Sequence, residues 1–214
     1  MQFFEKNITP DISLTTICTP IKRNQIDAEQ LVRLFQRTFG TSLNTYLVSG
    51  GAEPEYIPVD AESTFHRIIF TRDYCSSALH EIAHWCIAGE ARRLMRDYGY
   101  WYVPDGRNAS QQSEFEQVEV KPQALEWLFS TACDIQFKVS ADNLDNDVGI
   151  SPLFKKAIAA QARAYCDYGL NARAIKWINA LVGHHYQMLP NTPNFHNVVN
   201  DKVLNAALYM EEAL

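Results

Sequence analysis

Apolar residues recur along the chain at two spacings, and the change from one to the other maps its elements. From Asp27, the segment DAEQLVRLFQRTF carries Leu31, Leu34 and Phe35 on one helical stripe, with Asp27 placed as its N-cap. Short β-branched and aromatic runs follow: TYLV at 45–48, EYIPV at 55–59 and HRIIF at 66–70. Ser49-Gly50-Gly51 reads as a turn, and Pro54 and Pro58 favour edge positions, so a small sheet is predicted. Asp73 then opens DYCSSALHEIAHWCIAGEARRLMRDYG, which predicts one long helix ending at Gly99. A second helical region, Glu114 to Cys133, contains Pro122. Proline kinks a helix interior, so Glu114–Val120 is expected as a separate turn or helix. Helical periodicity returns over about 152–168, 171–187 and 195–213. The pattern predicts an α+β fold, mainly helical with a small sheet. Residues 1–26, polar and β-branched with Pro10 and Pro20, read as an N-terminal extension, and 27–214 as one domain.

Composition narrows the function classes only slightly. The chain has 214 residues, enough for a full hydrophobic core. A formal charge of −6 argues against a broad nucleic-acid or anionic-membrane surface and suits a basic partner. No apolar run approaches the roughly 20 residues of a bilayer span. The first residues lack the basic and apolar regions of a secretion signal, so a cytoplasmic location is expected. Five widely spaced cysteines with no C-x-x-C pair suit reduced thiols, and Cys86 is expected to be a small buried residue. DNLDND at 142–147 lacks the glycine and glutamate of a calcium loop and reads as Asx-turns.

The chemistry lies in His80-Glu81-Ile82-Ala83-His84. On a helix, positions four apart lie about 40° from each other on one face, so both imidazoles can converge on one ion. Glu81 points to an adjacent sector, within reach of a metal-bound water, where in hydrolases it acts as general base. Leu79, Ile82, Ala83, Cys86 and Ile87 give the helix a wide apolar surface, which predicts a dry cleft around the histidines. A third ligand is needed. The extended zincin pattern fails, because Glu90 stands where it has histidine and Ile87 where it has glycine. A carboxylate on a following helix is the alternative, with Glu119, Glu116 and Glu126 ranked in that order and Glu114 as a further candidate. Glu116 and Glu119, three apart, could act as ligand and hydrogen-bond partner on one face. His66 is expected as a structural residue at a strand edge, and His184-His185 near a helix C-terminus. His196 is expected in the first turn of the last helix. Arg92, Arg93 and Arg96 are read as a solvated continuation of the motif helix, and Tyr98, Tyr100, Trp101 and Tyr102 mainly as core.

Two histidines and a carboxylate serve zinc hydrolysis or non-haem iron oxygen chemistry equally well. The stretches ALHEIAHWCIAGEARR (78–93), YGYWYVPDGR (98–107) and FEQVEVKPQALEWLF (115–129) closely resemble the bacterial elongation factor P hydroxylase family. So do EPEYIPVDAE (53–62) and VSADNLD (139–145); together the similarity spans roughly residues 28–150. The resemblance implies a monooxygenase that uses molecular oxygen to hydroxylate the β-lysylated lysine of elongation factor P. It further implies a metallopeptidase-like (zincin-like) HExxH scaffold holding Fe(II) through His80, His84 and the glutamate of V-E-V-K-P, Glu119. The family shows aspartate where this chain has Glu126, which makes Glu126 a poorer ligand candidate. The competing expectation is a zinc metallopeptidase or other hydrolase with Glu81 as base.

Overall fold

A computed structural model describes residues 25–99, 107–140 and 150–186. The first helix, α1 (Ala28–Phe35), starts where the sequence predicts. Asp27 Oδ1 accepts from the Gln30 amide at 2.7 Å, and the Gln30 side chain accepts from the Asp27 amide at 3.0 Å, a reciprocal capping box. Leu31, Leu34 and Phe35 are buried. Helical backbone continues through a wider π-type turn (Gln36–Gly40) and a last turn (Thr41–Leu43) until Asn44 enters the left-handed region at φ 47.

The three predicted strands are present as β1 (Thr45–Gly51), β2 (Glu55–Ile57) and β3 (His66–Thr71), in the order β1-β3-β2. β1 and β3 run parallel, with Leu47 opposite Ile68, and β2 pairs antiparallel, with Tyr56 opposite Ile68. The turn expected at 49–51 is instead strand. A bulge between Val48 and Gly51 absorbs the glycines, and Gly51 pairs with Thr71. A Cβ on Gly51 would meet Glu53 O and Ile69 Cγ2 at 2.7 Å, so the close approach of β3 requires glycine there.

The motif helix is shorter than its periodicity suggests. α2 spans Cys75–Ile87 rather than reaching Gly99; the chain turns extended at Ala88 and continues as short 3-10 turns at Arg92–Leu94 and Arg96–Gly99. Tertiary partners take over the helix end. Arg173 donates to Cys86 O at 2.8 Å and Ala88 O at 2.5 Å, Asn171 to Cys86 O at 2.9 Å, and Arg93 to Ala88 O at 2.6 Å. Three polar side chains thus satisfy carbonyls that further helix would have satisfied.

α3 (Ala109–Ala132) departs from expectation in the other direction, running unbroken through Pro122. Proline removes one backbone donor, while Pro122 to Ser130 are all buried, so packing outweighs the local penalty. α4 (Pro152–Tyr168), capped by Ser151, and α5 (Ala172–Tyr186) complete the described helices. One cluster of buried residues runs from Ile26 to Val182, with Phe35, Phe39, Trp85 and Trp177 in ring contact near its centre. The architecture is α+β, mostly helical with a three-stranded sheet. No described helix is long and apolar enough to cross a membrane. The readings of residues 1–24, of 142–147 and of the helix over 195–213 fall outside the described residues.

Candidate metal centre

Four residues carry a helix through about one turn, so α2 presents His80 and His84 on a single face. Leu79, Ile82, Ala83 and Cys86 are buried along the same helix and anchor it. The two Nε2 atoms stand 3.0 Å apart. α3 brings Glu119 against both: Oε2 lies 3.3 Å from His80 Nε2, and Oε1 lies 3.2 Å from His84 Nε2. Glu119 is 1% exposed, and neither carboxylate oxygen has a hydrogen-bond partner among the described residues. A buried carboxylate in that state is costly unless a cation lies beside it.

The spacing suits such a cation. Ligand atoms about 2.1 Å from one ion lie about 3.0 Å apart at right angles and about 3.4 Å apart on a tetrahedron. The observed separations of 3.0, 3.2 and 3.3 Å fall within that interval. His80, His84 and Glu119 accordingly form a group able to hold a metal ion. Their surroundings are wetter than the dry cleft expected, since the His80 side chain is 24% exposed and that of His84 11%. The site opens to solvent on the histidine side and is closed behind Glu119.

Glu126 completes the arrangement from outside the triad. Its Oε2 lies 2.9 Å from His80 Nδ1. An ionised carboxylate only accepts, so Nδ1–H donates and the lone pair on Nε2 points into the centre. Sequence reasoning placed ligand and hydrogen-bond partner within the Glu116–Glu119 pair and ranked Glu126 last of three ligand candidates; in the structure Glu126, not Glu116, stands behind His80. Glu116 accepts from Ser151 Oγ at 2.8 Å and ties α3 to the start of α4, while Glu114 is exposed. The signal was present in the chain: seven residues return a helix to within about 20° of the same face, whereas three rotate it by about 60°.

Without a metal, a proton takes the cation's place. Burial opposes charge on His80, but Glu119 and the hydrogen bond to Glu126 outweigh it and push His80 up to about 10. Burial also works against the Glu119 carboxylate, yet the charges of His84 and His80 pull it down to about 2. Glu81, partly buried beside them, is raised above the usual carboxylate range by burial, against the pull of His84 and His80.

The remaining candidates play structural parts. His66 Nδ1 accepts from the Val59 amide at 3.3 Å and lies 3.2 Å from the Tyr56 hydroxyl, at a strand edge as expected. Cys86 is fully buried, and its thiol is pushed far up by that burial. His184 and His185 lie in the last turn of α5. The three arginines are not a solvated continuation of α2, because the helix has ended. Arg93 donates to Ala88 O, Arg92 to Tyr98 O at 3.0 Å, and Arg96 pairs with Glu55. Tyr98 is buried, as expected; Tyr100, Trp101, Tyr102 and His196 lie outside the described residues. Sequence reasoning did not single out Asn171 and Arg173, whose targets are backbone carbonyls more than eighty positions away.

Comparison with known proteins bears on what this centre does. The family described as elongation factor P hydroxylase matches residues 34–195. A curated relative from Haemophilus influenzae, named elongation factor P lysine hydroxylase, is 47% identical over 154 residues, covering 72% of this chain and 86% of the relative. His80, Glu81, His84, Glu119 and Glu126 all fall within the span matched by the family.

Proposed function

The chain belongs to the elongation factor P hydroxylase family and is a hydroxylase; from that premise we propose that it hydroxylates the β-lysylated lysine of elongation factor P at an Fe(II) centre held by His80, His84 and Glu119. The observation that carries the metal assignment is the convergence of three ligand groups, from α2 and α3, with a buried carboxylate that has no hydrogen-bond partner among the described residues. An Fe(II) ion bound there supplies the redox chemistry of oxygen activation, which no side chain can provide. One oxygen atom would enter a C–H bond of the substrate; the other would leave as water, with two electrons from an added reductant and two protons from solvent.

The chain's own groups do the rest. His80 and His84 present neutral lone pairs, Glu119 supplies the negative charge, and Glu126 holds His80 in the required tautomer. Glu81 adds a carboxylate beside the open side of the centre, where it can accept from an ammonium group of a lysyl-lysine side chain or hold a proton. The HExxH helix, backed by a small mixed sheet and completed by a glutamate from the next long helix, supports a metallopeptidase-like scaffold. The continuous core from Ile26 to Val182 supports reading residues 27–214 as one catalytic domain, with 1–26 as an extension. On this reading, a protein substrate that serves translation supports a cytoplasmic location.

The test is incubation of lysylated elongation factor P with the enzyme, Fe(II), oxygen and a reductant, read by intact mass. A gain of one oxygen atom is expected, absent from unlysylated factor and from Glu119→Ala enzyme. Full metal loading with no mass gain would sink the reading. Metal analysis after anaerobic purification is expected to find iron; zinc with peptidase activity abolished in Glu81→Gln would support a hydrolase instead.

A further inference from the structure

Four aromatic rings stand in a column that runs from the metal centre to the start of β3. The His84 ring lies within 10° of parallel to that of Tyr98, with 6.4 Å between centroids. Tyr98 stacks on Tyr56 at 4.4 Å and 17°, and Tyr56 on His66 at 6.2 Å and 10°. Rings in the core pack otherwise: Phe35 and Phe39 each meet Trp85 edge-on, at 69° and 67°. Edge-on contact fills space as well as parallel contact does, so packing alone does not require the column. The backbone is strained to keep it. Asp97 and Tyr98 both adopt left-handed conformations, at φ 46 and φ 58, and Gly99 follows at φ 71. Such outliers persist where surrounding structure over-determines them, and they cluster at functional sites. Here Asp97 Oδ1 accepts from the Tyr56 amide at 2.8 Å, which ties the turn to β2 and sets one tyrosine ring on the other.

The two phenols differ in a way that gives the column a direction. The Tyr98 hydroxyl is buried with no hydrogen-bond partner among the described residues. The Tyr56 hydroxyl donates to Arg93 O at 2.8 Å and lies 3.2 Å from His66 Nδ1. That nitrogen carries a lone pair, since it accepts from the Val59 amide. Burial and the charge of Arg93 both lower the pKa of His66, which favours the neutral imidazole. Burial also pushes the Tyr56 phenol up to about 12, so its proton does not leave unless an electron leaves too. A phenol that loses an electron becomes a strong acid, and it settles as a neutral phenoxyl only where a base takes the proton. Tyr56 has such a base within hydrogen-bond reach; among the described residues Tyr98 has none.

We propose that Tyr98 and Tyr56 form a one-electron relay that drains oxidising equivalents from the metal centre when no substrate is seated. The proposal rests on the reading of the centre as an oxygen-activating iron site. One electron passes from Tyr98 to the centre and one from Tyr56 to Tyr98, which keeps its own proton. Tyr56 is left as a neutral phenoxyl, its O–H bond broken and the proton on His66 Nδ1. A one-electron reductant from solution, of the ene-diol class, returns the electron, and His66 returns the proton. The ligands His80 and His84 are thereby spared oxidation.

The test mixes the iron-loaded full chain, without substrate, with hydrogen peroxide, which stands for oxygen plus two electrons and two protons. Samples frozen during the reaction are read by electron paramagnetic resonance. A phenoxyl signal is expected in iron-loaded protein and not in zinc-loaded protein. Replacing Tyr56 by 3-fluorotyrosine, which keeps ring and hydroxyl, is expected to add a fluorine splitting to that signal. The same replacement at Tyr98 is expected to add none, because the radical does not rest there. Tyr98→Phe removes the intermediate step and is expected to lose most of the signal with iron content unchanged. His66→Phe keeps a ring but removes the base, and the same loss is expected. No splitting from position 56, a splitting from position 98, or a full signal in Tyr98→Phe or His66→Phe would each overturn the proposal. So would the absence of any phenoxyl in enzyme that hydroxylates lysylated elongation factor P. Full iron loading with no hydroxylation overturns the functional reading first, and that result is distinguishable because it is read by substrate mass.

Discussion

At the scale of single residues, the centre divides into atoms that touch the metal position and atoms that aim them. Glu119 is the buried carboxylate facing both imidazoles, so Glu119→Ala is expected to purify without metal, with stoichiometry by elemental analysis as the check. Glu126→Gln is a different case. The amide can still accept from His80 Nδ1–H, but the negative charge behind the imidazole is lost. It is expected to keep one metal per chain and bind it about 10–100-fold more weakly, measured by competition with a chelator. Unchanged affinity would remove Glu126 from the site. Sequence alone made the two histidines legible because a helix forces positions i and i+4 together. It ranked Glu119 first as the third ligand but missed Glu126 behind His80, because that contact depends on how α3 is rotated against α2.

At the scale of elements, long-range contacts decide where helices stop. α2 ends at Ile87 although the apolar and polar pattern continues, because Asn171 and Arg173 take the terminal carbonyls and Arg173 stacks over Trp85 at 5.2 Å. Removing this clamp with Arg173→Ala is expected to reduce stability by about 1.5–3 kcal/mol, the range for hydrogen bonds from a charged donor. Urea unfolding measures it, and a change below about 0.5 kcal/mol would show that Asn171 and Arg93 suffice. α3 shows the converse. Pro122 argued for a break, yet burial of its neighbours keeps one helix, and that continuity is what places Glu119 and Glu126 two turns apart on one face.

For the molecule as a whole, the metal and a proton compete for the same place. His80 is raised above its unfolded value of 6.5, so its contribution to the metal-free fold is complete below about pH 6.5 and fades as pH rises toward 10. Glu119 is depressed below 4.5, so its contribution is present above about pH 4.5 and is lost as pH falls toward 2. Chelator-treated protein is therefore expected to have its highest Tm between these limbs, in the interval of about pH 4.5 to 6.5. Glu119→Gln should flatten both limbs. Near neutral pH, metal uptake should release about one proton, detected as a dependence of calorimetric heat on the buffer's ionisation enthalpy. By itself the sequence determined the capped first helix, the three strands and the paired histidines, because each depends on neighbours within a turn or on alternation along a strand. Only the tertiary structure decided where α2 ends, that α3 is continuous, and that Glu126 backs His80. Those outcomes hang on contacts between residues tens of positions apart, and local periodicity carries no information about them.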